Sequence, residues 1–259
     1  MEFSPELLWA CAAAFIAGFI DAIVGGGGLV QLPALFIVLP PETDVPPILG
    51  TNKLSSICGT SIATVRYARS LLLNWRVALA AAVPAFFFSA LGASTVSLFR
   101  KETLRPVILL LLLTVAFYTL AHKNFGDAHR PKLSPQKELF YAALVGLVLG
   151  FYDGFFGPGT GSFLIFLFIS IFGFDFLHAS ATAKVVNFST NLAAVLYFGL
   201  HGHVLYLIGL PMGVSNILGA LLGTRLAMLR GSAFIRTLFL LVIFVIIAKF
   251  GYDTLQSTP

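Results

Sequence analysis

The sequence predicts an all-α polytopic membrane protein: about eight hydrophobic segments in two homologous four-segment repeats, inverted relative to each other, each opening on a broken or re-entrant segment. Three observations predict it. The 259-residue chain is 58% hydrophobic and 10% charged, with a mean hydropathy of +0.94. That is more apolar surface than one soluble core can hide, so the solvent of this chain is lipid. Apolar runs recur along the whole length, with connections too short to hold a soluble domain. Finally, the stretch GFIDAIVGGGGLVQLPAL from Gly18 to Leu35 returns as GFYDGFFGPGTGSFLIFL from Gly150, with an aspartate and a glycine cluster at the same internal spacing.

The first run, Leu7 to Leu39, has 33 residues. As one helix it would measure about 50 Å, against a hydrocarbon core of about 30 Å. It is too long for one upright helix and too short for two full spans, which predicts two half-length limbs meeting at Gly25 to Gly28. Runs at Val45–Val65, Val77–Phe99 and Pro106–Ala121 complete a first unit, residues 1–121. The charged stretch HKNFGDAHRPKLSPQKE, with its two prolines, is the linker, residues 122–138. The second unit, residues 139–259, repeats the order: a broken run at Leu139–Phe172, then Leu177–Phe198, Val204–Leu229 and Ala233–Phe250.

Shifting the chain by 132 residues superposes Gly18 on Gly150, Phe19 on Phe151, Asp21 on Asp153, Gly25 on Gly157 and Gly27 on Gly159. A shift of 131 pairs Lys53 with Lys184, Gly92 with Gly223 and Arg105 with Arg236. Landmarks kept in one order mark a duplication. Cytoplasmic loops hold the excess of Lys and Arg, which tests its handedness. If all eight runs cross, Arg66, Arg69, Arg76, Lys123, Arg130, Lys132, Lys137 and Lys249 face Arg100, Lys101, Arg105, Arg225, Arg230 and Arg236, hardly a bias. If each broken run enters and leaves on one face, Arg225, Arg230 and Arg236 join the first side and Lys249 leaves it, giving ten against four. The count favours inverted units, with the linker and the Arg66–Arg76 loop in the cytoplasm and both termini outside.

Other features exclude function classes. Glu2 and Glu6 precede any Lys or Arg, so the positive start of a secretory signal is missing and the first run is expected to remain in the mature protein. Cys11 and Cys58 sit inside apolar runs without metal-ligand spacing, and neither a disulfide nor a metal is expected. The net charge of +5 is spread over short loops, a membrane pattern that gives no reason to expect nucleic acid. Trp9, Trp75, Tyr206 and Tyr252 near segment ends read as interfacial anchors, and His201 and His203 as loop residues. The GPGTG run is not a nucleophile elbow, and there is no ATP-binding loop, so neither an enzyme nor a cofactor is expected.

Ionisable residues away from the loops are few: Asp21, Asp153, Lys53 and Lys184. A charge near the bilayer centre costs about 2.5–3.5 kcal/mol on insertion scales, so such residues face protein or water and are functional candidates. Lys53, Ser56 and Thr60 stand at i, i+3 and i+7 on one helix face, and Lys184, Asn187 and Asn191 repeat that spacing. Lysines among hydroxyl and amide donors suit a small anion, and Thr51, Asn52 and Thr182 beside them join the candidate set. Gly25, Gly26, Gly27 and Gly28, with Gly157, Gly159 and Thr160 in the second unit, would expose backbone N–H groups at a half-helix N-terminus, which carries about +0.5 charge. Broken helices at matching positions of two halves point to a transporter site. Two structural readings stand beside this one: glycines that serve close helix approach, and pairs of Lys53 with Asp153 and Lys184 with Asp21 that only hold the units together. Asp21 and Asp153, a single turn before each glycine cluster, are the candidates for a coupling proton, because burial and a neighbouring lysine act oppositely on a carboxylate.

The segments AGFIDAIVGGGGLVQLPAL, GTNKLSS, GFYDGFFGPGTGSF, ATAKVVNFSTN and GALLGTRL, in this order, resemble the sulfite exporter TauE/SafE family, also called the four-toluene sulfonate uptake permease family, and within it the YfcA-like proteins. The resemblance runs through nearly the whole chain. It implies a bacterial multi-pass protein of the cytoplasmic (inner) membrane that moves sulfite, sulfoacetate or related sulfur-containing anions. The expectation is a secondary transporter of small anions with alternating access between the repeats, whose partners are the anion, the lipid bilayer and protons. An anion channel would share the cationic stripes but need no coupling, and a membrane scaffold would not need the stripes.

Overall fold

In lipid a backbone must satisfy its own polar groups, so long apolar segments fold as helices. The computed structural model describes residues 5–96, 119 and 125–256, which form eight helices and, among the described residues, no strand. The first half runs α1 (Pro5–Val24), α2 (Gly28–Val38), α3 (Val45–Ser70) and α4 (Trp75–Ser94). The second runs α5 (Pro135–Phe155), α6 (Thr160–Ser170), α7 (Phe176–Leu200) and α8 (Tyr206–Gln256). The expected segment Pro106–Ala121 lies, apart from Thr119, outside the described residues, as do Arg100, Lys101, Arg105 and Lys123. The two runs expected at Val204–Leu229 and Ala233–Phe250 are arms of α8, joined through Gly231, whose φ of 69° and ψ of −167° interrupt the helix.

Both expected breaks are present, but the first corrects the arithmetic of two half-length limbs. α1 has 20 residues and α2 has 11, about 30 Å and about 16 Å. The break falls where the chain can turn rather than at the midpoint of the run: Gly25 has a φ of 76°, open to glycine and strained for other residues. α5 and α6 repeat the proportion with 21 and 11 residues.

Among the described residues, four helices are long and apolar enough to cross a bilayer: Pro5–Val24, Trp75–Ser94, Pro135–Phe155 and the Tyr206–Val245 part of α8. Their outer faces carry exposed apolar side chains at helical spacing, such as Leu79, Val83, Phe87 and Leu91 on α4 and Leu207, Leu210, Val214 and Leu218 on α8. Water would penalise such faces and lipid does not. The chain is a multi-pass membrane protein. Trp9, Trp75 and Tyr206, near helix starts, are exposed as interfacial anchors would be.

Small residues set the helix pairs. Gly146, Gly150 and Gly154 of α5 lie against Ala81, Ala85 and Ser89 of α4, and Gly219 and Gly223 of α8 against Phe15 and Phe19 of α1. In both pairs the numbers rise together, so the helices are parallel. Spacing small residues four apart lets backbones approach closely where lipid offers no hydrophobic drive. α3 and α7, with 26 and 25 residues, are more polar and run antiparallel between these pairs. Leu205 N, just after α7, donates to Thr51 Oγ1 at 3.0 Å; Asn191 Nδ2 to Thr60 Oγ1 at 3.4 Å; Thr64 Oγ1 to Lys184 O at 3.1 Å. As one number rises along α3, the other falls along α7.

The expected Arg66–Arg76 loop is shorter than the sequence suggested. α3 continues to Ser70, and Arg66 lies on it, its Nη1 donating to Leu221 O at 2.6 Å and Thr224 Oγ1 at 3.3 Å of α8. The turn after α3 lies beside the linker end, where Asn74 Nδ2 donates to Glu138 Oε2 at 3.4 Å.

Candidate functional site

The two helix breaks meet. Ser162 N of α6 donates to Gly25 O at 3.2 Å, and a Cβ on either Gly25 or Gly161 would collide with the other's backbone. A helix that stops inside protein leaves its last carbonyls without partners. At the end of α1 three hydroxyls take them in sequence: Tyr67 on Ala22 O at 2.8 Å, Ser180 on Ile23 O at 2.7 Å and Ser162 on Val24 O at 2.8 Å. The break after α5 is held locally instead, by Tyr152 on Pro158 O at 2.6 Å and Thr160 on Gly157 O at 2.7 Å.

Between the breaks and the α3–α7 pair lies a cavity of about 30 Å³, space on the scale of a water molecule or two. Its walls draw on both halves of the chain. α1 and its break give Asp21, Gly25 and Gly28; α3 gives Asn52, Lys53 and Ser56. α5 and its break give Asp153, Gly157 and Gly159; α6 gives Thr160 and Gly161, and α7 gives Asn187 and Asn191. Gly28 and Gly161, at the starts of α2 and α6, make no backbone N–H bond across the breaks among the described residues. Both helix starts thus border the cavity.

The four charges singled out in the sequence meet here as two ion pairs. Lys53 Nζ donates to Asp153 Oδ2 at 2.6 Å and Lys184 Nζ to Asp21 Oδ2 at 2.9 Å. Gly157 makes room for the first pair, since a side chain there would press on Lys53 Nζ and the Asp153 carboxylate. Asn52 Oδ1 and Asn187 Oδ1, both on lining residues, are buried without a hydrogen-bond partner. Buried acceptors left unpaired cost about 1–3 kcal/mol each, which a water or a ligand donor would recover.

The remaining predicted residues sit outside the lining. Lys184 is sealed behind Asp21. Thr60 lies beneath the wall, its Oγ1 donating to Ser56 O at 2.7 Å. Thr51 donates to Pro47 O at 2.7 Å and braces the α7–α8 turn, and Thr182 donates to His178 O at 2.8 Å. Gly26 and Gly27 turn the chain between α1 and α2. His201 is a turn residue, its Nδ1 2.7 Å from Tyr197 O.

Sequence reasoning missed a polar string behind Asn52. Gln31 Nε2 donates to Asn52 O at 3.2 Å, and Asn216 Nδ2 donates to Gln31 Oε1 at 2.9 Å. Asn216 also fills the space that Gly18 and Gly59 leave open. The available signal was the rarity of Gln and Asn inside apolar runs, which is as informative as the rarity of charge.

Known proteins resemble this chain along its length. A "Probable membrane transporter protein ORF9" of Sinorhizobium sp is 40% identical over 233 residues, covering 89% of this chain and 86% of its own. A "Probable membrane transporter protein" of Haemophilus influenzae is 38% identical over 92% of both chains. "Probable membrane transporter protein YfcA" of Escherichia coli is 34% identical over 93% of this chain and 88% of its own. No solved structure is significantly similar. The profile of one family, described as "Sulfite exporter TauE/SafE", matches residues 10–250, a span that takes in both helix breaks and both ion pairs. The chain belongs to the sulfite exporter TauE/SafE family.

Proposed function

We propose that this membrane transporter moves small anions, sulfur oxyanions and sulfonates first among them, across the bacterial cytoplasmic membrane by alternating access between two inverted repeats, residues 1–121 and 139–259. The observation that carries the reading is the polar cavity at the junction of the two helix breaks, lined by Lys53 and two aspartates. Antiparallel α3 and α7, and the reciprocal pairs α1 with α8 and α4 with α5, support the inversion. A cavity of about 30 Å³ is too small for an organic sulfonate, so loading requires one side to open.

The ion pairs add a condition. With Lys53 on Asp153 and Lys184 on Asp21 the fixed charges cancel, and an anion arriving alone would bring uncompensated charge into a site poor in water. A proton on one aspartate leaves its lysine's charge uncompensated and gives the site a net positive charge that balances the anion, so anion and proton travel together. Asp21 is the better carrier, being the more open carboxylate of the two. Asn52 and Asn187 oxygens would accept from water or from the O–H of a protonated oxyanion.

The test is purified protein in liposomes, supplied with sulfite, sulfonates and carboxylates under an imposed pH gradient. Accumulation against the anion gradient, driven by protons, is expected. Flux without accumulation would mean a channel, and no flux of any anion would leave a scaffold. Reporter fusions check the inversion separately: the C-terminus should face outward, and a cytoplasmic C-terminus would refute it.

A further inference from the structure

The linker carries a second constellation, outside the cavity that the transport reading uses. Its residues fold back on the turn between α6 and α7: Arg130 N donates to Gly173 O at 2.7 Å, Lys132 N to Phe172 O at 3.2 Å and Phe176 N to Gly126 O at 2.9 Å. This clasp lays the exposed His129 ring against Phe174 and against His178, with centroids 5.0 Å and 4.6 Å away. Asp175 caps α7, accepting from His178 N at 2.7 Å, and both its oxygens lie within 3.0 Å of His178 Nδ1. His129, Asp175 and His178 each offer one ligand atom, all within 4.8 Å of one another.

We propose that His129, Asp175 and His178 form a binding site for one divalent transition-metal ion of the zinc type, with a further position open to water. Two imidazoles and a carboxylate are the mixed nitrogen and oxygen set that suits zinc, cobalt or nickel rather than magnesium or calcium. Ligands about 2 Å from a tetrahedral ion stand about 3.3 Å apart. The cluster, whose ligand atoms lie within 4.8 Å of one another, must therefore close by up to about 1.5 Å, within reach of the exposed His129 side chain. Asp175 supplies the negative charge, and as a helix cap it is already held in place.

An ion here would fasten the linker to the first turn of α7, the helix that carries Lys184, Asn187 and Asn191. Any effect on transport rests on the reading above; the binding itself does not. The full chain, purified in detergent without a polyhistidine tag, is titrated with Co²⁺ and followed by its visible absorption, then challenged with Zn²⁺. One Co²⁺ per chain with a four-coordinate spectrum, displaced by Zn²⁺, is expected. His129→Ala should weaken binding at least tenfold, and this exposed side chain makes no hydrogen bond whose loss would threaten folding. Asp175→Asn keeps a capping oxygen for His178 N and should weaken binding as well. An absence of binding to the native chain, or the same stoichiometry and spectrum in both variants, overturns the proposal.

Discussion

The two ion pairs occupy matching positions in the two halves of the chain, yet they are not alike. Lys53 and Asp153 are both nearly closed off, with side chains 4% and 6% exposed, and both form part of the cavity wall. In the other pair Lys184 is 0% exposed while Asp21 is 21% exposed. One pair is uniformly buried, whereas the other is graded, with a sealed cation behind a carboxylate that solvent can reach. A proton from solvent can reach Asp21 of the graded pair, whereas neither member of the buried pair has comparable contact with water. In both pairs protonation takes the counter-charge from a buried lysine, so the difference between them lies in access to the carboxylate. Matching sequence landmarks thus need not do matching work.

Four substitutions test that difference. The largest effect is expected from Asp21→Asn: exchange of anions persists, and accumulation driven by a pH gradient in liposomes disappears. Asp153→Asn should instead impair insertion and flux together, and a matching phenotype from the two variants would erase the distinction. Next is Lys53→Met, which strands Asp153 as a buried unpaired charge and should cost about 3–5 kcal/mol, read as a lowered thermal midpoint in detergent. Lys184→Met strands only the more hydrated Asp21, so its loss is expected nearer 1–3 kcal/mol. Equal losses would mean that exposure does not separate the pairs. The smallest effects are assigned to the helix breaks: Ser162→Ala loses one hydrogen bond to the Val24 carbonyl, about 0.5–1.5 kcal/mol. Thr160→Ala, whose hydroxyl bonds within its own turn, should cost less than that.

Much of this site could be read in the sequence because charge is so costly in lipid that four ionisable residues in apolar runs could not be incidental. Both breaks were visible for a similar reason: clustered glycines do not continue a helix. The first break lies at Gly25 to Gly28, where the sequence placed it, but its limbs have 20 and 11 residues rather than equal lengths, because run length says nothing about where the chain can reach a positive φ, and Gly25 decided that. Arg66 was misassigned to a loop because its partners, Leu221 O and Thr224, come from a helix more than 150 positions away. Gln31 and Asn216 were missed for the same reason: each is an isolated polar residue until α2, α3 and α8 pack together. Local pattern shows which residues are unusual, and only packing shows which of them meet.

The hydroxyls on Ala22, Ile23 and Val24 come from three different helices, α3, α7 and α6. Fraying is the cheapest local fluctuation of an ordinary helix terminus, because its final turn opens alone. The end of α1 cannot open in that way, since releasing it would strip partners from three helices at once. Its amides should therefore exchange with deuterium as slowly as those of a helix centre. Any motion that carries Asp21 from one side to the other must then take α1 together with those partners as a unit, and a burst of fast exchange at residues 20–24 during turnover would reveal the moment at which that unit comes apart.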